Sequence, residues 1–271
     1  MARPTWWADW TFSRYNDDLS ILDVVNSGTL DWKLAGLLWL LMEQRASVLV
    51  AAGPIFAGKT TVLHSLLDFL PPETKQFSLR GYAETFDFTD RYMPDSTYLV
   101  SEEISNHQFE YLWGHQVVKT LELLNKGYSL GATIHARNVQ EVAYVLHSYL
   151  NVPLPLIARL GAVVTLQVTQ GRSFYDEPIR RIDALSIISM NDMNLIAHTL
   201  AARESFDGEF VYPSDRALQE ALSRKFGVKY EHVLSEVTRR ETFLRQLGDN
   251  STRSREEVKK AISDYYKSHS S

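Results

Sequence analysis

The sequence predicts an α/β fold on a mostly parallel sheet, followed by a C-terminal helical region. Three observations carry this. Apolar, β-branched runs alternate with helical patterns over about 140 residues, the sequence form of parallel strands joined by crossover helices. One of those runs, Ser47 to Ala52, opens into a glycine loop and then a helix. From Asn191 onward the pattern changes and helical periodicity dominates. The chain therefore divides into a Trp-rich arm over 1–30, an α/β core over 31–190 and a helical region over 191–271.

In order, the arm holds Trp6, Trp7 and Trp10, and exposed tryptophan is rare, so the arm is expected to pack on the main body, with a neighbouring subunit as the alternative. Residues 31–44 have helical spacing with Asp31 as N-cap. The run 47–52 reads as a strand buried on both faces. Residues 59–70 read as a helix stopped by Pro71 and Pro72. Strands follow at 75–79 and 97–101, a helix at 109–125 ending before Gly127, a strand at 131–135, and a helix at 139–150. Strands at 162–169 and 181–188 close the sheet across a turn at Gln170, Gly171 and Arg172. Helices are expected at 215–226, 230–247 and 255–267, the last opened by a Ser254/Glu257 capping box.

Composition narrows the function. A 45% hydrophobic share supports a real core and excludes wholesale disorder. The balance of 28 Lys+Arg against 33 Asp+Glu, net −5, argues against a nucleic-acid-coating role. The basic residues near the C-terminus, Arg239, Arg240, Arg245, Arg253, Arg255, Lys259 and Lys260, are interleaved with acids and read as solvated helix surface. There is no cysteine, which excludes disulfides and Cys-ligated metals. The N-terminus lacks an apolar signal core, and the longest apolar run, Leu34 to Met42, falls far short of the ~20 residues that span a bilayer. A cytoplasmic protein is expected, joined to any membrane only through a partner.

The strongest local signal is Gly53-Pro54-Ile55-Phe56-Ala57-Gly58-Lys59-Thr60, followed by Thr61. It matches G-x-x-x-x-G-K-[ST], in which glycines let successive backbone N–H groups close on a phosphate. The helix that follows aims its positive end at the same anion. Lys59 should bridge the β- and γ-phosphates, and Thr60 should offer its hydroxyl to Mg²⁺. Such a loop needs a carboxylate at a neighbouring strand end, and Glu102 and Glu103 follow the 97–101 strand. Side chains alternate along a strand, so one of the two should face the phosphate. His135, at the end of another strand, stands where open α/β sheets gather their ligands. His107 and His115 show no metal-ligand spacing and receive no role.

These residues resemble the secretion ATPase family of type II and type IV secretion, type IV pili and archaeal flagella. Residues 53–61 look like the family's GPTGSGKTT loop. Residues 100–105 resemble its Walker B segment, with Glu103 before Ile104 the better match for the acid and Glu102 the alternative. Residues 127–136 look like its His box, with His135 on the second histidine, and 170–172 with 180–182 resemble its arginine hairpin. The resemblance spans about residues 20–266. It implies a RecA-like P-loop NTPase core, ATP and Mg²⁺ as ligands, Thr60 and Glu103 at the metal, assembly into a hexameric ring, and the cytoplasmic face of an integral-membrane secretion or pilus platform as partner.

The departures are equally specific. In the stretch resembling the Asp box, 78–84, Arg80 stands where the first acid is usual and only Glu84 persists. Tyr128 replaces the first His-box histidine, and Ser105 replaces an arginine. Only about 45 residues precede the phosphate-loop strand, so the chain resembles a motor domain alone. Glu103, Glu84 and His135 are the expected catalytic residues. Arg80, Arg91 and Arg137 are candidates for the charges a preceding domain would donate. A regulatory or assembly subunit with little hydrolysis is the alternative to a motor.

Overall fold

The computed structural model describes residues 19–54, 56–170, 177–249 and 254–269. The tryptophans of the arm, Ile55 of the loop and the Gly171-Arg172 turn lie outside the described residues. Ser20 caps helix α1 (Ile21–Asn26) through a reciprocal box with Asp23. Asp31 caps α2 (Trp32–Glu43) by accepting from the Leu34 amide at 2.7 Å. Strand β1 (Val48–Ala52) is buried along its whole length and leads through the glycine loop into α3 (Lys59–Leu67). Strands β2 (Lys75–Ser78) and β3 (Thr97–Ile104), helix α4 (His115–Leu124), β4 (Ser129–His135), α5 (Val139–Tyr144), α6 (Leu154–Ile157) and β5 (Ala162–Thr169) complete the alternating part.

The sheet order is β2-β3-β4-β1-β5, all parallel, continued by an antiparallel edge of β6 (Ile179–Asn191), β7 (Asn194–Arg203) and β8 (Phe210–Val211). This is a mixed, mostly parallel α/β fold. Alternation along β1 feeds two cores. Val48, Val50 and Ala52 join the cluster under α1, α2, α3 and the C-terminal helices, while Leu49 and Ala51 join the one under α4, α5 and α6.

Three expectations change. The region after Asn191 does not begin with helices: β6 and β7 form a long hairpin, turned at Asp192 with φ +52°. The helix expected at 109–125 begins only at His115, because Gly114 at φ +60° and ψ −132° cannot continue a helix. The third concerns the two acids of β3. A β-bulge between Ser101 and Ile104 breaks the strict alternation, and both Glu102 and Glu103 reach toward α3.

The C-terminal helices α7 (Asp215–Phe226), α8 (Val233–Asp249) and α9 (Arg255–His269) cover the α2–α3 side of the sheet. Trp39 of α2, fully buried, stacks on Phe69 with ring centroids 5.1 Å apart and donates to the Tyr266 hydroxyl at 2.9 Å. Arg255 pairs with Asp68 at 2.6 Å, fastening α9 to the residue that caps α3. Gly36 lets α2 and α8 come together: a Cβ there would lie 2.8 Å from the Val237 carbonyl oxygen and 3.0 Å from the Glu241 nitrogen. Both neighbours are backbone and cannot yield locally. Gly36→Ala is therefore expected to destabilise by about 1–3 kcal/mol, overpacking outweighing alanine's better helix propensity. A thermal melt should show a midpoint several degrees lower.

Candidate functional site

The C-terminal ends of β1, β3 and β4, and the start of β6, meet at one edge of the sheet. Because β6 runs antiparallel to β5, its first residues arrive beside the phosphate loop. Together these ends border a cleft of about 880 Å³, within the ordinary range of ligand sites. Phe56, Ala57, Gly58, Lys59, Thr60 and Thr61 line it from the loop and α3. Glu103 and His135 line it from the strand ends, and Arg180 and Arg181 from β6. Gly53 and Pro54 connect β1 to this lining and are not themselves part of it.

Local backbone chemistry shapes the loop. Gly58 has φ +84°, and a Cβ on it would meet Arg180 Cδ at 2.9 Å. It is the residue before α3 and provides no side-chain cap, so the first amides of α3 have no side-chain acceptor from it. Phe56 also lies in the left-handed region, φ +58°, an unusual place for a bulky residue. Its carbonyl accepts a hydrogen bond from Arg180 Nε at 3.1 Å, tying the β6 start to the loop.

Lys59 is the first residue of α3 and only 6% exposed. Burial holds its ammonium below the usual lysine value, while Glu103 pulls in the opposite direction. Its Nζ lies 3.6 Å from Glu103 Oε2. The other carboxylate oxygen, Oε1, faces His135 Nε2 at 3.3 Å and His107 Nδ1 at 3.9 Å. Oε1 is buried and has no hydrogen-bond partner among the described residues. Glu102 is turned to His64, farther along α3, at 3.4 Å. His135 Nδ1 lies 3.3 Å from the Gly53 carbonyl oxygen.

Glu84 is placed differently from the sequence expectation. Its fully buried carboxylate accepts from the Arg80 backbone N–H at 2.9 Å, from the Phe86 N–H at 2.8 Å, and from the Arg80 guanidinium at 3.1 Å. It braces the 80–86 turn and does not border the cleft. The physical reason is Arg80 itself: a cation four residues away captures the acid. Arg80 is committed to Glu84 and Asp87, Arg137 to Glu141, and Arg91 is exposed away from the lining. Arg180 brings positive charge to the cleft instead, while Arg181 lines it but pairs with Asp207 at 3.5 Å. Their signal was the motif-like pair in the hairpin, which carried no assigned role. His107 had only its spacing of four residues from Glu103.

The residues fit a nucleotide triphosphate with its Mg²⁺. A glycine-permitted turn, the open N-terminus of α3 and the cationic side chains of Lys59 and Arg180 suit clustered phosphate oxygens. The Glu103 carboxylate beside Lys59 suits the water shell of a Mg²⁺ ion.

Fold and loop together define a mixed, mostly parallel α/β core with a phosphate-loop motif between β1 and α3. No protein-family model matches the sequence. The chain is 23% identical over 278 aligned residues to the uncharacterized protein MJ1287 of Methanocaldococcus jannaschii, covering 91% of this chain and 98% of that protein. It is 32% identical over 75 residues to the uncharacterized protein MJ0900 of the same organism, a match covering 27% of this chain and 13% of that protein. Among solved structures it is similar to the VirB11 ATPase of the Brucella suis type IV secretion system, at 15% identity and TM-score 0.39, covering 68% of this chain and 62% of that one. It is also similar to the Legionella pneumophila ATPase DotB, at 12% identity and TM-score 0.34, covering 74% and 53%. The chain spans less than two thirds of either structure. Among the described residues, no helix is long and apolar enough to cross a membrane.

Proposed function

We propose that the chain binds ATP with Mg²⁺ in this cleft and hydrolyses it, as the motor subunit of a type II or type IV secretion, pilus or conjugation-like machine. The supporting observation is the convergence on one phosphate loop of Lys59, from the head of α3, with Glu103 and His135, from the ends of the neighbouring parallel strands β3 and β4. Bound against the terminal phosphates, Mg²⁺ supplies charge neutralisation. The chain's own groups do the remainder. Backbone N–H groups of the loop from Phe56 to Thr61 hold the β-phosphate. Lys59 exchanges Glu103 for phosphate oxygens, and Thr60 offers its hydroxyl toward the ion. Glu103, released from the ammonium, orients the attacking water and accepts its proton. His135 reports on the γ-phosphate. Arg180 adds positive charge from the hairpin, so Arg180→Ala is expected to weaken Mg²⁺-nucleotide binding about fivefold, the ~1 kcal/mol of a solvent-accessible ion pair, in a fluorescent-nucleotide titration.

By its resemblance the chain works as a hexameric ring at the cytoplasmic face of an integral-membrane platform, and its net charge of −5 argues against a nucleic-acid partner. A second reading, an ATP-binding regulatory or assembly subunit with little hydrolysis, is favoured by one observation: Glu84, the remaining Asp-box acid, is committed to Arg80. Phosphate release measured on size-fractionated protein with Mg²⁺ and ATP separates the two. Turnover concentrated in a large assembly supports the motor. Tight nucleotide binding with negligible release selects the regulator, and absence of nucleotide binding removes both.

A further inference from the structure

We propose that Glu103, His107 and His135 form a binding site for a divalent transition-metal ion of the Zn²⁺ kind, separate from the Mg²⁺ that accompanies a nucleotide. Glu103 closes β3, His107 follows in the next loop, and His135 closes β4, the neighbouring strand. One carboxylate oxygen and one ring nitrogen from each histidine all lie within 4.8 Å of one another. The separations of 3.3 Å and 3.9 Å from Oε1 approach the ~3.4 Å expected between two ligand atoms about 2.1 Å from a shared tetrahedral ion.

Hydrogen-bonding chemistry makes the same point independently. The Gly53 carbonyl oxygen can only accept, so its contact with His135 Nδ1 requires the proton on Nδ1. A neutral ring so oriented presents a lone pair on Nε2 to the lone pairs of Glu103 Oε1. Two acceptors at 3.3 Å repel unless something positive lies between them. Oε1 is buried and has no hydrogen-bond partner among the described residues, so the need is unmet by the surrounding protein. A ring N–H given to a backbone carbonyl, with the opposite nitrogen turned inward, is the usual support of a metal-ligating histidine. Imidazole ligands select Zn²⁺-like ions over Mg²⁺, which prefers oxygen. All three residues border the cleft, so three protein ligands leave an open coordination position facing it. Glu103 serves both neighbours, Oε2 toward Lys59 and Oε1 toward the histidines.

The inference needs no nucleotide and stands apart from the ATP reading. The test uses the full chain, stripped with a chelator and titrated with Co²⁺ in the absence of nucleotide. One Co²⁺ per chain is expected, with the intense visible absorption of four- or five-coordination, displaced by Zn²⁺ and not by excess Mg²⁺. His107 is 61% exposed, so His107→Ala should leave the thermal melt unchanged while weakening Co²⁺ binding at least tenfold. Equal Co²⁺ affinity in wild type and His107→Ala overturns the proposal, as does displacement by Mg²⁺. A doubly protonated His135 ring in the stripped protein that does not respond to Zn²⁺, read by nuclear magnetic resonance, also overturns it, because a proton would then fill the gap. ATP binding measured on the same samples keeps the two readings distinct: Co²⁺ binding without ATP binding removes only the nucleotide proposal.

Discussion

Lys59→Ala is expected to weaken Mg²⁺-ATP binding by about 10- to 100-fold while leaving the fold intact. Lys59 lies at the first position of α3, where its ammonium meets the loop amides and the open helix end over a single small volume. Hydrogen bonds to charged groups contribute about 1.5–3 kcal/mol, which gives this range of affinity loss. Removing the side chain also leaves Glu103 without its cationic neighbour, so the phosphates would then face an uncompensated carboxylate. Isothermal titration with ATP, beside a thermal melt, reads both quantities. A folded variant with wild-type ATP affinity would end the phosphate-loop assignment.

Glu103→Gln should have the opposite signature. The isosteric amide keeps the shape of the cleft and removes the negative charge, so nucleotide binding should persist or tighten. Turnover should fall by about 10²–10⁴, the usual contribution of a general base. Steady-state phosphate release at saturating ATP checks this. Unchanged turnover would remove Glu103 from the reaction. Glu102 is the control position: its carboxylate is engaged with His64 and does not border the cleft, so Glu102→Gln should change turnover far less.

The phosphate loop was legible because its chemistry is local: eight consecutive residues fix the turn, the cation and the helix start. Strands β1, β4 and β5 were legible because burial on both faces leaves near-continuous apolar runs. The choice between Glu102 and Glu103 was not. The bulge that orients them is held from afar, by the Leu112 amide on the Glu103 carbonyl at 2.9 Å and the Thr133 hydroxyl on the Glu102 carbonyl at 2.6 Å. Glu84 escaped for a related reason, since an acid matching a motif position shows nothing of the arginine that captures it. Strand β7 is half exposed and rich in alanine and leucine, without clean alternation, so its pairing with β6 outweighs a composition that suits helix equally well. His107 joins its partners only because β3 and β4 are neighbours, although the chain between the two strands runs from residue 105 to residue 128.

The packing of Trp39 has a consequence for how the molecule is made. Its ring is sealed by Phe69 from the first third of the chain and by Phe243, Tyr265 and Tyr266 from the last. On a ribosome, α2 and the helix bearing Lys59 emerge well before their lid is synthesised. A nascent chain that has reached only β8 therefore carries Trp39 and Phe69 without the aromatic cover of the final helices, an aggregation-prone intermediate.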